Sequence, residues 1–164
     1  MTRIDPAPHA GEHAMLEAFL DFQRATVVLK AEGLSEADVR RGLVPSLTTV
    51  GGMLRHLRWV EHNWFEAVIG KQECSAPWVL GDEDGDFRLG ESDTLESLLD
   101  DYAQACERSR RVSAELPLEQ EVIHPRHGTS LSVRWILLHM IEETARHAGQ
   151  LDILRELLDG ATGE

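Results

Sequence analysis

One stretch near the C-terminal end of the sequence carries an almost unbroken helical stripe. It begins near Ser130 or Ser132 and reaches Leu158, and Gly160 just beyond supplies a stop. Apolar side chains, with two exceptions, recur along it in steps of three and four residues, a spacing typical of a helix that packs one face against a core. The stripe consists of Ile136, Met140, Glu143, His147, Leu151, Leu154 and Leu158.

Three further segments show the same periodicity and predict three more helices. The first runs from Glu12 to Ala31, the second from about Thr49 to Ile69, and the third from Asp93 to Leu116. Asp93 and Glu96 form a pattern like a capping box at the start of the third helix. No strand alternation is present, so the sequence predicts an all-α fold, an up-and-down four-helix bundle with two long connections. The core stripe predicted for the first helix is Met15, Phe19, Phe22, Thr26 and Leu29.

Two of the three connections between the predicted helices bear on function. The segment 71–91 is rich in glycine and acidic residues and predicts a long exposed loop, and loops of this length inside a domain are often functional. The segment 119–130, EQEVIHPRHGTS, holds Pro125 and Gly128. We therefore expect His124 and His127 within it to be exposed polar side chains.

Length and charge restrict the classes of function. With 164 residues, we expect one domain over residues 1–164. The net charge of −13 argues against binding of nucleic acids and of anionic membrane surfaces. No apolar run has the ~20 residues of a membrane helix, and the N-terminal residues lack the pattern of a secretory signal, so we expect a cytoplasmic protein. Cys74 and Cys106 are expected to be unpaired thiols.

Glu143 and His147 are the two polar members of the stripe on the fourth helix. A carboxylate on a core stripe is costly unless it is paired or ligates a metal. Residues four apart lie on one helix face, so both could reach one divalent ion, with His56 of the second helix as the best third ligand. His–Glu–His is a ligand set used for zinc with one open position, and nickel or iron are alternatives. A buried Glu143–His147 ion pair, with His56 as a structural residue, remains the other interpretation.

His139 competes with these residues for a role in the site. It lies one turn before Glu143, but eight residues, about 12 Å of helix, separate it from His147. That separation is too long for both imidazoles to share one ion comfortably. We expect His139 to line a pocket, to support the ligands from behind, or to lie in the core or on the helix surface.

Three sequence stretches resemble the DinB-like superfamily. They are FQRATVVLKAEGLSEADVR at 22–40, HLRWVEHNWF at 56–65 and ETARHAGQLDILRE at 143–156. The branch that they resemble most lies near the mycothiol-dependent maleylpyruvate isomerases. The resemblance implies a four-helix bundle with one metal ligand on the second helix and two on the last. His147 matches the second histidine of the usual last pair, and Glu143 stands where the first would be.

The resemblance also implies the chemistry. A low-molecular-weight thiol such as mycothiol would bind the metal as thiolate and attack an electrophilic small molecule, which makes the chain a thiol S-transferase or isomerase. Two alternatives stay open: a metal-stabilised binding or stress-response bundle without turnover, and a metal-assisted hydrolase. Four tryptophans are many for a small bundle, and a homodimer that uses some of them as its interface is a further hypothesis.

Overall fold

The computed structural model describes residues 2–114 and 116–162. In these ranges the chain forms five α-helices: α1 Glu12–Ala31, α2 Glu36–Val39, α3 Val50–Glu61, α4 Leu95–Ser113 and α5 Val133–Asp159. The four long helices pack as a bundle in which α1 lies mainly against α5 and α3 against α4. The predicted all-α fold is confirmed. No helix in these ranges is both long enough and apolar enough to cross a membrane.

The second long helix changes its winding along its length. Thr49 caps α3, and its side chain accepts a hydrogen bond from the Gly52 N–H group. After Glu61 the chain continues as a π-helical segment, His62–Ile69, where the sequence predicts one uninterrupted α-helix. π-Helical turns inside α-helices are rare and occur frequently at functional sites. The change of winding sets which way the side chains after Glu61 point.

A buried polar layer separates two apolar clusters along the bundle. Arg24 and Glu61 are at most 2% exposed and form a two-pronged ion pair, with N–O distances of 2.7 and 2.6 Å. Each long helix passes from one apolar cluster to the other at this level. The layer consists of Arg24, Glu61, Ser109 and Thr144, all of them buried.

α1 begins and ends at the predicted residues, but the predicted stripe on it is partly wrong. Phe19 and Leu29 are exposed, whereas Thr26 is buried as expected. The apolar face that packs inside is rotated toward residues that the sequence stripe leaves out. The side chains buried on α1 include Leu20, Arg24, Ala25, Val27, Val28 and Ala31.

α4 starts one residue later than a cap at Asp93 implies. The capping box is made by Thr94 and Ser97, each side chain bonding to the backbone N–H of the other. Asp93 instead accepts a hydrogen bond from the Gly90 N–H group. The helix ends at Ser113, three residues before the predicted end.

The connection at 119–130 contains a small β-hairpin, which the sequence pattern did not indicate. β1, Glu121–Ile123, pairs antiparallel with β2, Ser130–Ser132. Val122 is buried in one of the two apolar clusters, which anchors the hairpin on the bundle. Gly128 has φ +66° in the connecting turn, a conformation that favours glycine.

The segment 71–91 is only partly the exposed loop that the sequence predicts. It contains two 3₁₀ turns, Pro77–Leu80 and Gly85–Phe87, and the second packs against α3. Gly85 and Asp86 are buried there. The loop thereby carries an aspartate into the bundle beside His56.

Candidate metal centre

His56, Glu143 and His147 lie together between α3 and α5. Their potential ligand atoms are all within 4.8 Å of one another, and no other such group of three or more is found among the described residues. Both imidazoles turn the same atom toward one carboxylate oxygen. His147 Nε2 is 3.1 Å and His56 Nε2 is 3.5 Å from Glu143 Oε1. The predicted trio is therefore brought within reach of a single ion.

The Nδ1 atom of each imidazole donates a hydrogen bond to an oxygen atom of a neighbouring side chain. His56 Nδ1 donates to Asp86 Oδ2 at 2.5 Å, and His147 Nδ1 donates to Gln150 Oε1 at 2.7 Å. With the proton on Nδ1, Nε2 keeps its lone pair for a ligand. Metal-binding histidines are usually oriented in this way by a carboxylate or carbonyl oxygen. His56 Nε2 is also buried without a hydrogen-bond partner, as expected of an atom placed for a cation.

Two carboxylates, those of Glu143 and Asp86, bring negative charge to the site. The nearby imidazoles of His147 and His56 hold the pKa of Glu143 well below its usual range, although burial opposes this. Burial acts to lower the pKa of His56, but its contacts with Glu143 and Asp86 outweigh burial and raise it. The site thus has an ionised glutamate that attracts positive charge. A divalent ion or a protonated imidazole would supply that charge, so both interpretations of the sequence fit these two pKa directions.

Aromatic rings from the 71–91 segment form one wall of the site. Phe87 stacks on His56 at a ring-centroid distance of 4.4 Å and an angle of 15°, and Trp78 lies 6.4 Å from the same imidazole. The side chains of His56, Glu143 and His147 remain 15%, 16% and 12% exposed. The three donors are therefore shielded on one side but not sealed from solvent.

His139 is not part of the trio. Its ring stacks on Trp135 at 5.1 Å and meets Trp64 edge to face at 4.8 Å, so it lies in an aromatic cluster. Burial lowers its pKa. His124 is only 7% exposed, and the expectation that it is exposed is wrong because the hairpin packs against the π-helical segment. His127 is exposed as predicted.

Asp86 is the residue of the site that sequence reasoning misses. It stands in an acidic, glycine-rich run whose other carboxylates, Asp82, Glu83 and Asp84, are exposed. Nothing in the local pattern marks one of these acidic residues as buried. Only the packing of the second 3₁₀ turn against α3 selects it.

Comparison with known protein families finds a match over most of the chain. The family described as Mycothiol-S-transferase matches residues 15–160. This range includes the trio and the two residues, Asp86 and Gln150, that accept hydrogen bonds from its imidazoles. Among curated proteins, none matches this chain.

Proposed function

The chain belongs to the mycothiol S-transferase family, and on that basis we propose that it is a metal-dependent enzyme that transfers a low-molecular-weight thiol to an electrophilic small molecule. This family is DinB-like, so the resemblance indicated by the sequence is confirmed. The family description supports mycothiol as the thiol. The electrophile is a second small molecule.

One observation carries the metal dependence in this proposal. Two imidazole Nε2 atoms converge on Glu143 Oε1, and each imidazole is oriented by an oxygen acceptor at Nδ1. Two nitrogens and one carboxylate oxygen are a donor set of catalytic zinc sites, which keep a position open. We assign His56, Glu143 and His147 as ligands and zinc as the metal, with nickel or iron as alternatives.

The charges of the trio suit a thiol substrate. When bound, a divalent cation supplies a Lewis acid that lowers the pKa of a thiol at the open position. Glu143 is the one charged side chain among the three proposed ligands, so the ligands neutralise half the charge of a divalent ion and the ion can still attract an anionic sulfur. Partial exposure of the three side chains gives a substrate access. Phe87 and Trp78 keep water away from the His56 side of the centre.

Metal analysis of protein purified without a histidine tag tests the ligand assignment. We expect about one metal ion per chain in the wild type and a large loss in Glu143→Ala and in His147→Ala. Glu142→Ala is the matched control, because Glu142 is the neighbouring, exposed carboxylate on the same helix and contacts Arg146 rather than the trio. Equal metal content in all four proteins would contradict the assignment.

A turnover screen tests the reaction. The zinc-loaded protein is offered a panel of electrophiles with mycothiol, with cysteine and without thiol, and we expect product only when a thiol is present. Turnover that does not depend on thiol would replace the proposal with metal-assisted hydrolysis. Stoichiometric metal without any turnover would favour a metal-stabilised binding bundle.

A further inference from the structure

A cavity lies on the side of the bundle that carries the hairpin. Three elements build it: the π-helical segment, the hairpin with its turn, and the first turn of α5. Its volume is about 380 Å³. We call it the aromatic cleft, and its lining residues are Asn63, Trp64, His124, Arg126, His127, Thr129, Leu131 and Trp135.

The aromatic rings around the cleft expose single faces and do not form a gap between two parallel rings. Trp135 already stacks on His139 at 12°, and His124 already stacks on His127 at a centroid distance of 4.5 Å and 24°. Trp64 is tilted by 55° to 69° against its ring neighbours. A flat aromatic ligand therefore finds no parallel gap to enter. Trp135 is nevertheless 45% exposed and presents a free face of its indole.

Hydrogen-bonding groups surround these faces. Asn63 brings an amide, Arg126 a guanidinium group and Thr129 a hydroxyl. His124 Nδ1 accepts a hydrogen bond from the Arg126 backbone N–H, so its proton is on Nε2. Among the residues that the structure describes, no carboxylate lines the cleft, although the chain carries a net charge of −13. An apolar ring face with a polar rim suits a saturated ring whose C–H groups cover the indole while its hydroxyls reach the rim.

The aromatic cleft and the metal centre are connected by α5. Trp135 and Glu143 are eight residues apart on this helix, about 12 Å along its axis, and His139 lies midway. A molecule would have to span about 12 Å along this helix to occupy both places. Mycothiol has this form, because it joins a cysteine-derived thiol to a glucosamine and an inositol ring.

We propose that the aromatic cleft binds the hydroxylated rings of the thiol co-substrate while its sulfur reaches the His56–Glu143–His147 trio. The inference rests on the proposed function, since it concerns the same reaction. In this proposal the indole of Trp135 provides the main surface on which the rings lie, and the hairpin residues provide the hydrogen-bonding groups around it.

Glucosaminyl-inositol, the sulfur-free part of mycothiol, is the probe for this site. We expect saturation-transfer NMR to show binding to the wild type at millimolar concentration, and we expect Trp135→Ala to weaken it about tenfold. Trp135→Phe should restore part of the loss. Trp59→Ala is the matched control, because Trp59 is a partly exposed tryptophan that does not line the cleft. Absence of binding, or equal binding by Trp135→Ala, overturns the proposal.

The probe separates this inference from the proposed function, because its binding requires neither metal nor turnover. Binding to His147→Ala should equal binding to the wild type. If Trp135-dependent binding is found but no thiol supports turnover, the proposed function fails and the cleft assignment stands. If turnover is thiol-dependent but Trp135→Ala lowers kcat/KM equally for mycothiol and for N-acetylcysteine, the cleft assignment fails and the function stands.

Discussion

Replacement of Asp86 by asparagine tests whether the buried carboxylate next to His56 tunes the proposed metal centre. Asp86 is 1% exposed, and its Oδ2 atom lies 2.5 Å from His56 Nδ1. Asparagine has nearly the same shape and can still accept the Nδ1–H hydrogen bond through its amide oxygen. The substitution therefore removes the negative charge while the imidazole keeps its orientation.

The expected effect follows from the kind of hydrogen bond that is lost. A hydrogen bond to an ionised acceptor is roughly twice as strong as a neutral one, which makes the difference here about 1.4 kcal/mol. We expect the zinc affinity of Asp86→Asn to fall about tenfold, since 1.4 kcal/mol corresponds to a factor of about ten. Asp86→Ala loses the whole bond, and its affinity should fall about 100-fold, the upper end for outer partners of ligating histidines.

Competition with a chromophoric zinc chelator at constant pH measures these affinities. Asp84→Asn is the control, because it removes the same charge from an exposed position of the same segment. Thermal unfolding of the metal-free proteins shows whether each variant keeps its fold. If Asp86→Asn and Asp84→Asn bind zinc equally well, or if Asp86→Ala binds like the wild type, the reasoning about the outer carboxylate is refuted.

Three further predictions follow from buried or paired groups. Burial raises the pKa of the Cys106 thiol, so a disulfide reagent should react with Cys74 in the folded protein and with Cys106 only after denaturation. Fast reaction of both thiols in the folded protein would contradict this. Arg24→Met should lower the free energy of unfolding in urea by about 3–5 kcal/mol, because it leaves the Glu61 carboxylate buried without its cation, and adding Glu61→Leu should recover much of the loss. Hydrogen bonds from an arginine and a histidine hold the pKa of Glu66 below its usual value, although burial opposes this shift. The Glu66 carboxylate therefore stabilises the fold above the unfolded-state pKa of about 4.3. This contribution is lost as the pH falls through the lower folded-state pKa. Glu66→Gln should therefore lower Tm at neutral pH and match the wild type in acid, and a Tm deficit that persists in acid would contradict it.

The helices could be predicted from the sequence because their periodicity and stop residues are local. α1 has the predicted ends for this reason, yet its buried face was misplaced. A sequence pattern counts arginine as a solvent residue, and Arg24 is buried only because Glu61, 37 residues later, neutralises it. The hairpin escaped prediction because strands of three residues are too short to show alternation.

The site divides in the same way. Glu143 and His147 could be found because four-residue spacing puts them on one helix face, and His56 because it lies beside an apolar stripe. Asp86 and the acceptor role of Gln150 depend on how loops and side chains pack, which no spacing rule encodes. The aromatic cleft depends on the π-helical segment and on the hairpin, two features that the sequence did not indicate.

The unbroken course of α5 has a consequence for the choice of substrate. Trp135 and His147 belong to one continuous helix, so neither can shift relative to the other unless the helix bends. A ligand held at both places must match a constant reach. Thiols with a shorter linker between sulfur and ring would give up one of the two contacts, and longer ones would have to fold back. If the cleft and the trio hold the two ends of one thiol, the helix backbone would select that thiol by length, and the hairpin and the 71–91 segment would select it by chemical character.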